Sequence, residues 1–225
     1  MDMVANNLAN MNTTAYKGDK LMFVQHLIKS RGSESFIPDK LAFTRDVAEY
    51  RNFADGPIRS TGNSLDVAIK GEGYLVVETD NGDRYTRAGQ LQLSPDGQLV
   101  TDDGHPVLSD AGAPFFFGPT DTDIEIARDG TLSTNNGVLG KIRLVRFDKA
   151  QELTPEGGQL WNTDQTPINV ENPEIIQGSL EDSNVQPILE LTRMIDVHRA
   201  YDQVRTFIDQ EDQRQRKLLE ATKEA

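Results

Sequence analysis

The sequence predicts a mainly β protein with terminal α-helices: a central β domain, a meander or small barrel, plus N- and C-terminal helices pairing as a coiled coil. Three observations carry this reading. Turn dipeptides ending in glycine recur at short spacing through the middle of the chain, residues from Ile188 to Ala225 contain no Gly or Pro, and the first eleven residues carry apolar side chains at helical spacing.

At the N-terminus, Met3, Val4, Leu8 and Met11 keep that spacing until Asn12, Thr13 and Thr14, whose side chains compete for backbone hydrogen bonds. This reads as the last turns of a helix. No N-cap residue precedes it, which predicts a native start further upstream and an internal Met1. Leu21 to Leu27 is a short apolar segment, and the polar stretch Arg31 to Asp39, with Pro38, reads as a connector. Arg45 to Phe53 reads as an extended arm or strand leading to the turn signal Gly56-Pro57. The expected domains are an N-terminal assembly region over 1–33, a linker or arm over 34–59, a β domain over 60–175 and a C-terminal helix over 176–225.

Within Ser60 to Asn172, Asn81-Gly82 follows Tyr74 to Val77, Asp96-Gly97 follows Leu91 to Leu93, and Asp103-Gly104 follows Leu99-Val100. Ile124 and Ile126 precede Asp129-Gly130, Leu132 precedes Asn136-Gly137, and Ile142 to Phe147 is the longest strand candidate. Positive φ is inexpensive only for Gly, Asn and Asp, so these dipeptides between apolar runs predict hairpins. No exact internal repeat marks a solenoid.

The C-terminal stretch changes period. Leu191, Met194, Val197, Tyr201, Val204 and Ile208 alternate spacings of three and four from Met194 onward, a coiled-coil seam of about two heptads. The seam turns polar at Glu211 and Gln215 before Leu218 and Leu219. A helix with one apolar stripe needs a partner, so the two chain ends are expected together, with the rest of the seam completed by neighbouring subunits.

Composition excludes several classes of function. The 225 residues include 23 Lys and Arg against 36 Asp and Glu, a formal net charge of −13. No basic run neutralises phosphates, which argues against nucleic acid as a partner. Apolar runs such as Phe115 to Phe117 fall far short of the ~20 residues that span a bilayer. Met1 to Asn10 lacks the basic and apolar regions of a cleavable secretory signal. Cysteine is absent, which removes disulfides and thiolate chemistry.

No catalytic, cofactor or metal site emerges. His26, His105 and His198 show no metal-ligand spacing. Asp121, Asp123 and Glu125 alternate, but Ile126 stands where a calcium loop needs glycine, so they read as solvated charge on a strand edge. Gly71-Glu72-Gly73 precedes a strand rather than a helix and reads as a turn. Ser179 after Gly178 lacks the nucleophile-elbow pattern. Asn12-Thr13-Thr14 matches a glycosylation acceptor but reads as a turn.

Both chain ends carry a resemblance. Ala5-Asn6-Asn7-Leu8-Ala9-Asn10 followed by Asn12-Thr13 and Tyr16-Lys17 resembles the N-terminal signature of the bacterial flagellar rod, hook and hook-associated family. Gly178-Ser179-Leu180-Glu181-Asp182-Ser183-Asn184-Val185, with Met194-Ile195 and Arg199-Ala200-Tyr201, resembles its C-terminal one. Gly62 to Ile69, Gly71 to Tyr74 and Tyr85-Thr86-Arg87-Ala88-Gly89 are similar to the rod proteins rather than the hook protein. Asp46 to Arg59, ending Gly56-Pro57-Ile58-Arg59, resembles proximal more than distal rod subunits. Ala15 stands where that signature implies a glycine before the aromatic.

The resemblance implies a structural subunit of the basal-body rod with no enzymatic activity and no cofactor. Such subunits pass unfolded and without a cleavable signal through the flagellar type III export apparatus, a route suited to a chain without cysteine. In the periplasm they polymerise helically with other rod proteins and with copies of themselves. Their terminal helices line the export channel, the β domain lies outside, and the rod transmits torque. On this reading Leu8 and Met11 with Leu191, Met194, Val197, Tyr201, Val204 and Ile208 form the assembly interface. Asn6, Asn7, Asn10, Asn12, Thr13, Leu180, Glu181, Ser183, Asn184 and Val185 are family-motif positions. A distal rod subunit and, from another class, a secreted β-domain adhesin or carbohydrate-active enzyme are the alternatives.

Overall fold

The computed structural model describes residues 1–29 and 40–223, so the connector expected at 31–39 lies outside the described residues. The chain divides into two compact units, Asn12–Asn184 and a second made of Met1–Met11 with Val185–Ala225.

The first unit is built from strands. In chain order they are β1 (Asp19–Lys29), β2 (Lys40–Arg51), β3 (Ile58–Ser60), β4 (Val67–Lys70), β5 (Tyr74–Thr79), β6 (Gly82–Thr86), β7 (Leu91–Leu93) and β8 (Leu99–Thr101). There follow β9 (Glu125–Ile126), β10 (Thr131–Thr134), β11 (Gly137–Lys141), β12 (Leu144–Arg146), β13 (Thr154–Pro155), β14 (Leu160–Asn162), β15 (Ile168–Asn169), β16 (Glu174–Gln177) and β17 (Ser179–Glu181).

The long pair β1 and β2 is antiparallel, from Asp19 opposite Arg51 to Lys29 opposite Lys40, with one irregularity between Met22 and Phe23. In the body, β5 and β6 form a hairpin at the centre of a sheet ordered β13-β14-β6-β5-β12-β15. The last strands return to the first ones: β16 pairs with β4 and β17 with β3, both antiparallel.

This order corrects the expectation of a meander or small barrel. Neighbours in the central sheet come from distant parts of the sequence, and the sheet ends on two-residue strands at both edges without closing. Turn dipeptides locate hairpins such as β5–β6 but leave the partner on each hairpin's other edge open. Ile142 to Phe147 is corrected too, because only Leu144–Arg146 forms a strand there. Ile142 bridges Ser109 and donates its N–H to Gly130, whereas Val145 pairs with both Tyr74 and Asn169. The run changes partners part-way, which ends the strand although its apolar residues stay buried.

The central hairpin is apolar on both faces. Leu75 and Val77 of β5 join a core with Val67, Leu99, Leu132 and Ile175, while Tyr74 and Val76 join Tyr85, Val145, Phe147 and Trp161 on the other side. Successive side chains of a strand point oppositely, so burial of both faces yields the continuous apolar run seen from Tyr74 to Val77. Tyr85 and Phe147 meet edge to face with ring centroids 4.7 Å apart, the arrangement favoured by ring quadrupoles. All five predicted Asx-Gly dipeptides fall at chain reversals, with Gly82 and Gly137 as the first residues of β6 and β11.

The second unit consists of α1 (Asp2–Ala9), which packs on α2 (Pro187–Lys223). Pro187 opens α2 at the position where its missing N–H has no helical partner to lose. Asn10 closes α1, its side-chain amide donating to the Asn6 carbonyl and to the Asn6 side chain. Val4 and Asn7 are the buried residues of α1. Among the described residues, no helix is long and apolar enough to cross a membrane.

Candidate functional site

A heavily bonded polar region of the β unit lies where residues 14–19 meet 52–56 and 178–184. Ala15 N–H donates to the Glu181 carbonyl at 2.7 Å, and Asn184 N–H donates to the Tyr16 carbonyl at 3.2 Å. The Asn184 side chain accepts from Gly18 N–H at 2.9 Å and donates to the carbonyls of Asn52 at 2.7 Å and Ala54 at 2.8 Å. One amide satisfies three backbone groups from two segments, which needs both a carbonyl oxygen and an NH2 group. An aspartate there supplies no donors.

Beneath it lies a closed ion network. Glu181 Oε1 accepts from Lys17 Nζ at 2.6 Å and from Gly56 N–H at 2.8 Å, and Glu181 Oε2 accepts from Arg87 Nε at 3.0 Å. Arg87 also donates to Asp55 Oδ1 at 2.9 Å and to the carbonyls of Gly71, Gly73 and Ile69. The Glu181 and Lys17 side chains are each 1% exposed. Burial pushes the Glu181 carboxyl upward, but the facing Arg87 and Lys17 charges and the bonds to them hold it below the ordinary glutamate range. Burial, then the Arg87 charge, draws Lys17 below the ordinary lysine value, against the opposing pull of Glu181. Burial thus outweighs the attraction of Glu181 at Lys17, whereas at Glu181 the facing cations outweigh burial.

Both Glu181 oxygens are occupied and shut from solvent, so the cluster joins segments of chain rather than exchanging protons with a substrate. Asp55 is its more open edge, accepting from Gly71 N–H at 3.0 Å as well as from Arg87.

Close backbone approach explains two of the glycines. A Cβ on Gly56 would lie 2.0 Å from the Asp182 carbonyl oxygen, and one on Gly89 would lie 1.7 Å from that of Val67. Ala15 is the converse case: it is buried with φ of 57°, in the left-handed region where Cβ is strained. Ala15→Gly should relieve that strain and stabilise the β unit by about 0.5–1 kcal/mol, read as a higher denaturation midpoint. A lower midpoint would show that the methyl group's packing outweighs the backbone strain.

The structure separates the sequence-derived residues into two groups. Leu180, Glu181 and Ser183 are buried in the β unit, with Asn184 half-buried and Thr13 in the turn before Ala15. Asn12 is exposed. In the helical unit Asn7 is buried, Leu8, Asn10, Met11 and Val185 are half-buried, and Asn6 is exposed but bonded to Asn10. Of the α2 positions, Met194 is half-buried, whereas Leu191, Val197, Tyr201, Val204 and Ile208 are exposed. Asp121, expected on a strand edge, precedes β9 and ties down a loop, accepting from Gly118 N–H and Asn136. Sequence reasoning did not find Asp55 or the ion network, because Lys17, Arg87 and Glu181 lie far apart in the chain and share no local pattern.

Comparison with known proteins covers both groups. Residues 1–17 match the family described as flagella basal body rod protein, 68–134 the flagellar hook protein FlgE/F/G D1 domain, and 176–221 the flagellar basal body rod FlgEFG protein C-terminal region. The chain is 37% identical over 223 residues to the flagellar basal-body rod protein FlgF of Caulobacter vibrioides, covering 98% of this chain and 90% of that one. It is 32% identical over 213 residues to FlgF of Mesorhizobium japonicum, covering 93% and 86%. To the flagellar basal-body rod protein FlgG of Buchnera aphidicola subsp. Acyrthosiphon pisum it is 32% identical over 243 residues, covering 97% and 92%. With family matches at both ends and in the β body, and a 37% identical relative covering almost its full length, the chain belongs to the flagellar basal-body rod proteins of the FlgF type.

Proposed function

We propose that this chain is a structural subunit of the proximal flagellar basal-body rod, acting without catalysis. The β unit forms the subunit body, and the terminal helices supply contacts to other rod proteins and to further copies of the chain. Its place is the periplasmic part of the basal body, reached through the flagellar type III export apparatus without a cleavable signal. The higher identity to the FlgF of Caulobacter than to FlgG relatives supports the proximal position over the distal one.

The observation that carries the assembly reading is the apolar stripe left open on α2. Val197 is 39%, Tyr201 68%, Val204 59% and Ile208 59% exposed, at alternating spacings of four and three. Burying such side chains contributes roughly 1.5–3 kcal/mol each. A few together suffice to order a helix against its neighbours, which gives the stripe a partner in the assembled rod as a coiled-coil seam. Heterologous contacts of this kind propagate into a helical filament able to transmit torque, with the helices around the export channel.

The test has two parts. Deleting the gene should abolish swimming and leave basal bodies whose rods stop short near the inner membrane; complete rods would remove the proposed role. Val197→Asp should block assembly while leaving the denaturation midpoint of the β unit unchanged. Normal motility in that variant would show that the stripe is not the interface.

A further inference from the structure

The sequence contains two Asn-Gly dipeptides, Asn81-Gly82 and Asn136-Gly137, and the structure treats them differently although their hairpins close on the same residue pair. Each closes a hairpin whose last pair is a threonine opposite the glycine, Thr79 with Gly82 and Thr134 with Gly137. In each, the threonine hydroxyl accepts from the asparagine N–H, at 3.3 Å for Asn81 and 3.2 Å for Asn136. Both glycines have positive φ, 96° and 126°, and a Cβ at either would meet open space.

The side chains diverge. The Asn136 amide donates to Asp121 Oδ1 at 2.7 Å and to the Thr120 carbonyl and hydroxyl, each at 3.3 Å. Asn81 is exposed, and among the described residues its side chain has no hydrogen-bond partner. The main-chain carbonyls differ as well. Arg84 Nη1 donates to the Asn81 carbonyl at 3.1 Å, whereas among the described residues no side chain donates to that of Asn136.

We propose that Asn81 is a deamidation site of the folded subunit, at which the Gly82 amide nitrogen closes onto the Asn81 side chain with assistance from Arg84. The Gly82 nitrogen gives up its proton to solvent base and attacks Cγ of Asn81. An N–C bond forms, the bond from Cγ to the side-chain nitrogen breaks, and that nitrogen leaves as ammonia with a proton from solvent. Water then opens the succinimide at either carbonyl to give aspartate or isoaspartate. The net change is one water consumed, one ammonia released and one negative charge gained, with no redox step.

Arg84 acts on the first stage. The Asn81 carbonyl oxygen belongs to the same peptide group as the attacking nitrogen, so it carries much of the charge when that nitrogen loses its proton. A guanidinium donating to this oxygen stabilises the anion, as oxyanion-type donors do. Arg84 is held in place through its pairing with Glu156. The Thr79 hydroxyl also donates to the Gly82 carbonyl at 2.7 Å, whereas the Thr134 hydroxyl donates to Asp121 Oδ1 at 3.3 Å. The first bond holds the glycine carbonyl and not the attacking nitrogen, so the tether on Asn136 and the guanidinium at Asn81 set the order of the two rates. The isoaspartate branch adds a backbone carbon between β5 and β6 at the centre of the main sheet.

The test is a peptide map of the intact chain aged at mildly alkaline pH, following the mass gain of amide-to-acid conversion and methyltransferase labelling of isoaspartate. The Asn81 peptide should convert roughly tenfold faster than the Asn136 peptide, the scale of one charge-assisted bond plus a freed side chain. In denaturant the two rates should converge. Asp121→Ala should speed conversion at Asn136, and Arg84→Lys should slow it at Asn81 alone. Equal rates in the folded wild-type chain, which needs no variant to fold, would overturn the proposal. So would a folded Arg84→Lys chain with an unchanged rate at Asn81.

Discussion

Glu181→Gln should destabilise the β unit by about 3–5 kcal/mol, the range for removing one partner of a buried ion pair. Gln keeps the shape and can still accept one bond, but it leaves Lys17 and Arg87 buried beside each other with Asp55 as the one carboxylate still paired to them among the described residues. For a unit of this size each kcal/mol corresponds to about 2–4 °C, so the thermal midpoint should fall by roughly 10 °C. The pH dependence supplies a second reading. The folded Glu181 carboxyl sits below the ordinary glutamate value because the facing cations outweigh its burial. Its stabilisation is therefore present above the unfolded-state value and lost as pH falls through the folded one. The wild-type chain should lose stability across that acid window, and Glu181→Gln should lose less there. Adding Lys17→Met should recover part of the deficit, because it removes one of the stranded charges. A loss below about 1 kcal/mol would mean that water reaches the pair and screens it as at a surface.

Gly89→Ala should be the most damaging single-methyl change in the body. The added Cβ would lie 1.7 Å from the Val67 carbonyl oxygen, 2.8 Å from its carbon and 2.9 Å from a Val67 methyl group. Two of these are backbone atoms of a strand whose side chain is fully buried, so no rotamer change relieves the overlap. The segment must shift, which breaks the bond from Val67 N–H to the Gly89 carbonyl and loosens the core around Val67. Overpacking of this kind costs about 3 kcal/mol or more. Gly62→Ala is the control: its φ is 74° but nothing lies within 4 Å of the added carbon, so only the roughly 1 kcal/mol of left-handed strain applies. Equal midpoints for the two variants would show that the backbone around Gly89 yields easily.

These two sites show where local pattern stops carrying information. The hairpins at Asn81-Gly82 and Asn136-Gly137 were legible because each glycine takes the positive φ, 96° and 126°, that lets the chain re-enter a strand after the loop. The long helix was legible because thirty-odd residues without Gly or Pro, with apolar side chains at spacings of three and four, suit no other regular structure. The terminal motifs were legible only as resemblance, which pointed to a family and not to what each residue does.

Long-range contacts set the remaining features. Glu181 reads in the sequence as one acid in a polar stretch, and becomes the centre of an ion network only because β17 returns to β3 and brings it to Lys17 and Arg87. Ile142 to Phe147 reads as one strand and is divided because its two halves meet different partners. Helix and turn positions and the spacing of apolar residues along α2 follow from dihedral preference and periodicity within a few residues. Strand order, the open sheet, the ion network around Glu181 and the close approach at Gly89 depend on contacts between residues far apart in the chain, which local chemistry does not encode.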